Sequence, residues 1–220
     1  MADAFIGARL FRIRFQIRIS AGAPLILFIF PANFSVELPK KTSISLSFKI
    51  EEKPLRLFIA IPLSDAMKDA LTAAQDKMYD KGVRGNFTPR ENMHLTLAFI
   101  GEYPNKEPVM DALSTVSFSA FSLSLSGMGC FRDLWWAGMD ESAPLRAVVR
   151  RIRHALAENN IPFDRKRFSP HITLIRKATG TMPGIQIEKV SMPVERILLM
   201  RSDRGKHGMI YTEVGEIVKK

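Results

Sequence analysis

Two tetrapeptides carry residue types able to move protons near neutral pH: His94-Leu95-Thr96-Leu97 and, 77 residues later, His171-Ile172-Thr173-Leu174. Only four histidines occur in 220 residues, and two of them share this context. In each copy the polar residues stand at i and i+2, with aliphatic residues between and after. On an extended strand this spacing puts His and Thr on one face and the aliphatic pair on the other. One such strand reads as a satisfied structural histidine, whereas two copies point to a facing pair.

Imidazole is the side chain whose unperturbed titration falls near neutrality, so a facing pair can hold one neutral base and one protonated acid. That suits in-line displacement at phosphorus, where the nucleophile loses a proton as the opposite oxygen leaves and gains one. Thr96 and Thr173, two residues along on the same faces, could donate to non-bridging phosphate oxygens, and a guanidinium would stabilise the charge further. Arg176 stands at i+5 from His171. That odd offset would place it on the opposite face of a regular strand, so its participation requires a bulge or the strand's end. Two histidines are too few ligands for zinc, and no Asp, Glu or Cys recurs at ligand spacing beside both copies. No cofactor or metal is expected, and the chain lacks a Walker-type Gly-rich loop.

The elements that must position these residues follow from periodicity. Arg56–Ile61 is a short apolar run closed by Pro62, a buried strand. Ser64 caps a predicted helix with Met67, Leu71, Ala74 and Met78 at helical spacing, stopped by Lys81-Gly82. Residues 86–92 read as a loop leading into a strand from His94 to Ile100 that ends at Gly101. A weak helix around Glu107–Thr115 precedes a strand with Phe121, Leu123 and Leu125 alternating with serines. Leu134–Met139 reads as a strand whose adjacent Trp135 and Trp136 face opposite sides, one of them into the core. Pro144 opens a helix with the apolar stripe Leu145, Val148, Val149, Ile152 and Leu156, ended by Asn159-Asn160. Pro170 leads into the strand His171–Arg176. Glu195–Arg201 and Met209–Val218 read as two strands joined by a basic loop over 202–208. Antiparallel strands with interspersed helices make the class α+β, and the repeated layout suggests two similar lobes with the His/Thr strands facing across their join.

Composition, at 46% apolar and 25% charged residues, is that of an ordinary globular chain. A single cysteine, Cys130, leaves no internal disulfide framework and fits a reducing compartment. The net charge of +10 favours an anionic partner such as RNA or a phosphate ester. Residues 1–53 hold eight Lys/Arg against four Asp/Glu and so supply +4 of it. Their apolar run, Leu25–Phe30 between Pro24 and Pro31, is too short to span a bilayer. A secretory signal is disfavoured by the prolines and by the absence of a clear small-x-small cleavage site.

From Leu55 onward the chain closely resembles the 2H phosphoesterase superfamily, and within it the RNA 2′,3′-cyclic phosphodiesterase (2′-5′ RNA ligase) family. The resemblance rests on Arg56-Leu-Phe-Ile-Ala-Ile-Pro62, Pro89-Arg-Glu-Asn-Met-His-Leu-Thr-Leu-Ala-Phe-Ile-Gly101, Phe168-Ser-Pro-His-Ile-Thr-Leu-Ile-Arg176, and Leu199-Met-Arg-Ser202 followed by Gly208 and Tyr211. It implies a bilobal fold, pseudo-symmetric lobes with antiparallel sheets lining a central cleft and helices outside, working without a metal. It implies hydrolysis of RNA 2′,3′-cyclic phosphate ends to 2′-phosphomonoesters. By position, His94 would be the proton donor to the 3′ oxygen and His171 the base that activates water. Thr96 and Thr173 would hold phosphate oxygens, and Arg176 matches the arginine after the second motif. The alternatives are 2′-5′ ligation, a small nucleotide phosphodiester as substrate, or a silent RNA-end binder using Arg146, Arg150 and Arg153.

Leu55 stands where the family's initiating methionine belongs, so residues 1–53 are expected to be a poorly ordered extension and 54–220 the phosphoesterase domain. The expected species is a cytoplasmic monomer that meets RNA ends, with no stable protein partner and no membrane. His154 and His207 read as solvated, although His207 in its basic loop could touch phosphates. Phe87 and Phe168 flank the motifs and read as core residues, with base stacking the rival.

Overall fold

Residues 13–18, 45–50, 53–182, 184–206 and 208–220 are described by a computed structural model of the chain. Contacts divide it into two units, Met1–Lys53 and Pro54–Lys220. In the first, strands β1 (Ile13–Arg18) and β2 (Ser45–Ile50) pair antiparallel, Ile13 opposite Ile50. The other residues of 1–52, on which the expectation of poor order falls, lie outside the described residues.

The second unit begins with β3 (Leu55–Pro62), whose residues Leu57 to Ile61 are all buried, as an uninterrupted apolar run requires. Helix α1 (Asp65–Asp80) follows, with Met67, Leu71, Ala74 and Met78 on its buried face. Ser64 Oγ accepts from the Met67 N–H at 3.3 Å, a cap of the kind that contributes about 1 kcal/mol. Strand β4 (Arg84–Phe87), a 3₁₀ turn at Arg90–Asn92 and strand β5 (His94–Tyr103) come next. The chain continues through α2 (Glu107–Ser114), β6 (Phe121–Phe131), β7 (Leu134–Met139) and α3 (Ala143–Glu158). It closes with β8 (His171–Thr179), β9 (Ser191–Val194), β10 (Arg196–Gly205) and β11 (Gly208–Val218). Ser142 caps α3 through the Leu145 N–H, so Pro144 sits one position further in than the sequence suggested.

Among the described residues of this unit all pairings are antiparallel and build two sheets, ordered β11-β10-β3-β5 and β4-β8-β7-β6-β9. Read from the His/Thr strands, β5-β3-β10-β11 corresponds to β8-β7-β6-β9, with β4 added outside β8. This is the α+β, two-lobed arrangement the repeat pointed to. Each lobe nonetheless draws on both ends of the unit: β10 and β11 return to the first sheet, and β4 joins the second. The helices also cross over. Helix α1, which leaves the first sheet, packs against β8 of the second, while α3, which leaves the second, packs against β5 and α2.

Two expectations change, and one strand is new. Residues 86–92 do not form one open loop, because β4 pairs with β8 and the 3₁₀ turn follows it. Gly85 makes this pairing possible: at φ 150° its Cα approaches the Arg176 and Lys177 carbonyls, where a Cβ would stand 2.9 and 2.7 Å away. The 202–208 loop is far shorter than expected, since β10 runs to Gly205 and pairs with β11 through Ser202–Tyr211 and Gly205–Gly208. Strand β9, only four residues long, was not anticipated although it alternates exposed and buried positions, and its Pro193 is tolerated because β9 is an edge. No helix among the described residues is long and apolar enough to cross a membrane.

Candidate active site

His94 and His171 each open a strand, at the same end of β5 and β8. Both are oriented by the same device. The Nδ1 atom of His94 hydrogen-bonds the Asn92 carbonyl at 2.7 Å, and that of His171 the Ser169 carbonyl at 2.8 Å. A carbonyl can only accept, so Nδ1 carries the proton in both rings and Nε2 is left to meet a ligand. Leu95, Leu97, Ile172 and Leu174 point the other way and are buried to within 1% of full burial.

One cleft of about 910 Å³ is lined by His94, Thr96, His171, Thr173 and Arg176. The five residues singled out from the sequence thus converge. Asn86 to Pro89, Glu91, Asn92 and the β10–β11 hairpin, with Lys206, Met209 and Tyr211, form its rim.

The odd offset of Arg176 is resolved by a bulge. Along β8, Thr173 faces Trp136 and Ile175 faces Trp135, so two residues of β8 advance for one of β7 and Leu174 is the extra one. Leu174 and Ile175 are consecutively buried, and Arg176 returns to the face of His171 and Thr173. Strand β5 repeats the irregularity: Thr96 faces Ala60, Ala98 faces Ile59, and Leu97 is extra. The residue equivalent to Arg176 is therefore Phe99, whose ring lies 4.9 Å beneath the Arg56 guanidinium. The two-fold likeness of the lobes fails here, which leaves the second lobe with the cation.

His94 is packed between Phe58, at 4.8 Å between ring centroids, and Tyr211, at 5.1 Å and edge-on. Burial pushes its imidazole below the usual histidine value, and the positive charges of Arg176 and His171 act in the same direction against the Asn92 hydrogen bond.

Sequence reading missed two supporting residues. Asn92 orients His94 through its carbonyl and donates Nδ2 to the Met209 carbonyl at 2.8 Å, tying the turn to the hairpin. Gln75, buried on α1, donates Nε2 to the Leu174 carbonyl at 2.7 Å and to the Thr88 carbonyl at 3.0 Å. Only the equal two-residue offset of Asn92 and Ser169 from their histidines was visible beforehand. Gln75 sits at a core position of a helical pattern, where a polar residue could have been flagged.

Trp135 is buried, whereas Trp136 turns toward His171, 6.3 Å away. His154 is exposed, 3.9 Å from Glu158 on the same helix. Phe87 both packs on the core and lines the cleft. Phe168 packs on the core with the Arg153 guanidinium 6.0 Å from its ring. Arg146 is paired with Glu141, and Arg153 donates to the Lys166 carbonyl, so the basic helix face is partly committed to internal contacts. His207 lies outside the described residues. No group of three or more His, Cys, Asp or Glu side chains suited to a metal occurs among the described residues.

The family model described as the 2′-5′ RNA ligase superfamily matches residues 63–206. A protein of Geobacillus stearothermophilus named RNA 2′,3′-cyclic phosphodiesterase is 32% identical over 135 residues, which is 57% of this chain and 43% of that protein's length. A Thermus thermophilus protein of the same name is 33% identical over 175 residues, covering 72% of this chain and 87% of its own. Among solved structures, that of Escherichia coli LigT in its apo form is similar with a TM-score of 0.65 and 27% identity, covering 77% of this chain and 99% of that one.

Proposed function

This chain belongs to the 2′-5′ RNA ligase superfamily, and from that premise we propose that it hydrolyses RNA 2′,3′-cyclic phosphate ends to 2′-phosphomonoesters. One observation carries the reading: two histidines with Nδ1 fixed on backbone carbonyls share a cleft with two threonines and an arginine. In the proposed reaction water attacks phosphorus and gives its proton to His171 Nε2. The bond from phosphorus to the 3′ oxygen breaks, and His94 Nε2 supplies the proton that makes it a hydroxyl. Thr96, Thr173 and Arg176 hold the non-bridging oxygens as charge gathers on them. Exchange of one proton with solvent at each histidine restores the start.

The donor role asks His94 to carry a proton that its buried position disfavours. The anionic phosphate compensates, because a negative charge within about 4 to 6 Å favours the charged imidazole. Protonation of His94 therefore accompanies binding. Residues 54–220 are the working domain of this proposal, with RNA ends as its partner.

The test is to incubate the protein in EDTA with an oligoribonucleotide bearing a 2′,3′-cyclic phosphate and identify the new end group. A 2′-phosphate, absent with His94→Ala and with His171→Ala, is the expected result. Unchanged substrate, or a product that forms only with added metal, overturns it. Replacing water by the 5′-hydroxyl of a second RNA gives 2′-5′ ligation through the same groups, and adding such an acceptor to the assay reads it directly.

A further inference from the structure

The aromatic cluster on the far side of His171 has no part in the phosphate chemistry. Phe131, the last residue of β6, is 45% exposed. Its ring lies 5.2 Å from Trp136 at a tilt of 36°, and 5.3 Å from His171 nearly edge-on. An aromatic ring held against one imidazole of the site, with much of its surface open, is placed as a ligand contact would be.

The cluster is rigid. Trp136 occupies the space a side chain at Gly129 would need, so the indole lies directly over the β6 backbone. The β6–β7 turn is tight, with Phe131 paired to Leu134 and Arg132 at φ 58° between them. Its tip is tied to the His171 strand, since the Ala178 N–H donates to the Asp133 carbonyl at 2.9 Å. Trp136 is itself the cross-strand partner of Thr173. Phe131 is thus fixed relative to two of the groups assigned to the phosphate.

We infer that Phe131, backed by Trp136, is the platform on which the nucleobase of the terminal nucleotide stacks while its phosphate lies between His94 and His171. The placement of the phosphate rests on the phosphodiesterase reading. What is added is that the ligand must carry a base, and that any base serves. A phosphate bonded to His171 Nε2 stands about 2.8 Å from a ring whose other neighbour is Phe131. The base on the same ribose is the one within reach of that surface. Every base offers a π-face, so stacking of this kind tolerates sequence.

Equilibrium binding with the full chain tests this without turnover. The probe is an oligoribonucleotide ending in a 2-aminopurine nucleotide with a 2′-phosphate, compared with the same oligonucleotide lacking the terminal base. Wild type should quench the 2-aminopurine fluorescence and prefer the base-bearing probe by about 5- to 150-fold. Phe131→Ala should abolish the quench and bring the two affinities within about twofold, whereas Phe131→Tyr should keep both signals. Phe131→Leu, which keeps apolar volume without a π-face, should behave as the alanine variant does. Equal affinity of wild type for both probes, or a quench that survives Phe131→Ala and Phe131→Leu, overturns the inference. Failure of the phosphodiesterase reading is seen separately, as a cyclic phosphate left uncleaved by wild type.

Discussion

Gln75 and Leu174 are joined across the unit, the side-chain amide of one donating to the main-chain carbonyl of the other at 2.7 Å, at the residue that forms the β8 bulge. The same carbonyl accepts from the Thr88 N–H at 2.9 Å, so the irregular backbone is satisfied from two sides. Without the bulge Arg176 would turn away from the cleft. Gln75→Leu should remove the side-chain donor to the Thr88 carbonyl and leave the Leu174 carbonyl with the Thr88 N–H alone, costing roughly 1 to 3 kcal/mol of stability. It should also lower kcat/KM through Arg176. In a double-mutant cycle, Gln75→Leu should add little to Arg176→Ala, and additive losses would separate the bulge from the arginine.

Arg176→Ala should reduce kcat/KM for a cyclic-phosphate substrate by about 10²- to 10³-fold, the scale for one donor to developing phosphate charge. Arg176→Lys should recover only part, because an ammonium cannot reproduce the planar fork. Steady-state kinetics on the three proteins decides it, and full recovery by lysine would assign the residue a simple charge role.

His94→Ala and His171→Ala should each lower kcat by about 10²- to 10⁴-fold, and the double variant should lose little more than either. Rates measured at saturating substrate check this. A variant of either histidine within about tenfold of wild type would remove that residue from proton transfer.

The lowered His94 value fixes the sign of two pH effects. Between its folded value and the ordinary 6.5 the unfolded chain binds more protons, so stability rises with pH and is lost as pH falls below about 6.5. Urea unfolding at several pH values should show this slope in wild type and its loss in His94→Asn. Binding of a 2′-phosphorylated ribonucleotide at neutral pH should in turn take up a proton, read by calorimetry in buffers of different ionisation enthalpy. Proton release, or none, would contradict the donor role proposed for His94.

Much of the site was legible beforehand because strand chemistry is local. A polar residue at i and i+2 declares its face, and both tetrapeptides did so. The position of Arg176 was not legible, since a bulge depends on what the neighbouring strand and Gln75 do with the extra residue. Strand β4 was hidden for a similar reason: its short polar sequence pairs only because β8 offers an edge and Gly85 permits the approach. The β10–β11 hairpin was underestimated because Ser202 to Gly205 read as loop residues by composition, yet their backbone groups complete the ladder with β11. Phe131 follows Gly127-Met-Gly-Cys130, a stretch with no alternation from which its neighbours could be inferred.

The return of β10 to β3 has a consequence for how the molecule is made. Leu198 pairs with Ala60 and Arg201 with Leu57, so the first sheet stays without its inner partner until residues 196–205 have left the ribosome. Helices α1 and α3 each pack on the sheet they did not come from, so part of each lobe's hydrophobic cover comes from the other lobe's segment. Such non-local closure makes folding slow and strongly cooperative, and a nascent chain halted before Arg196 would display β3 as an open, apolar edge, a surface suited to capture by chaperones.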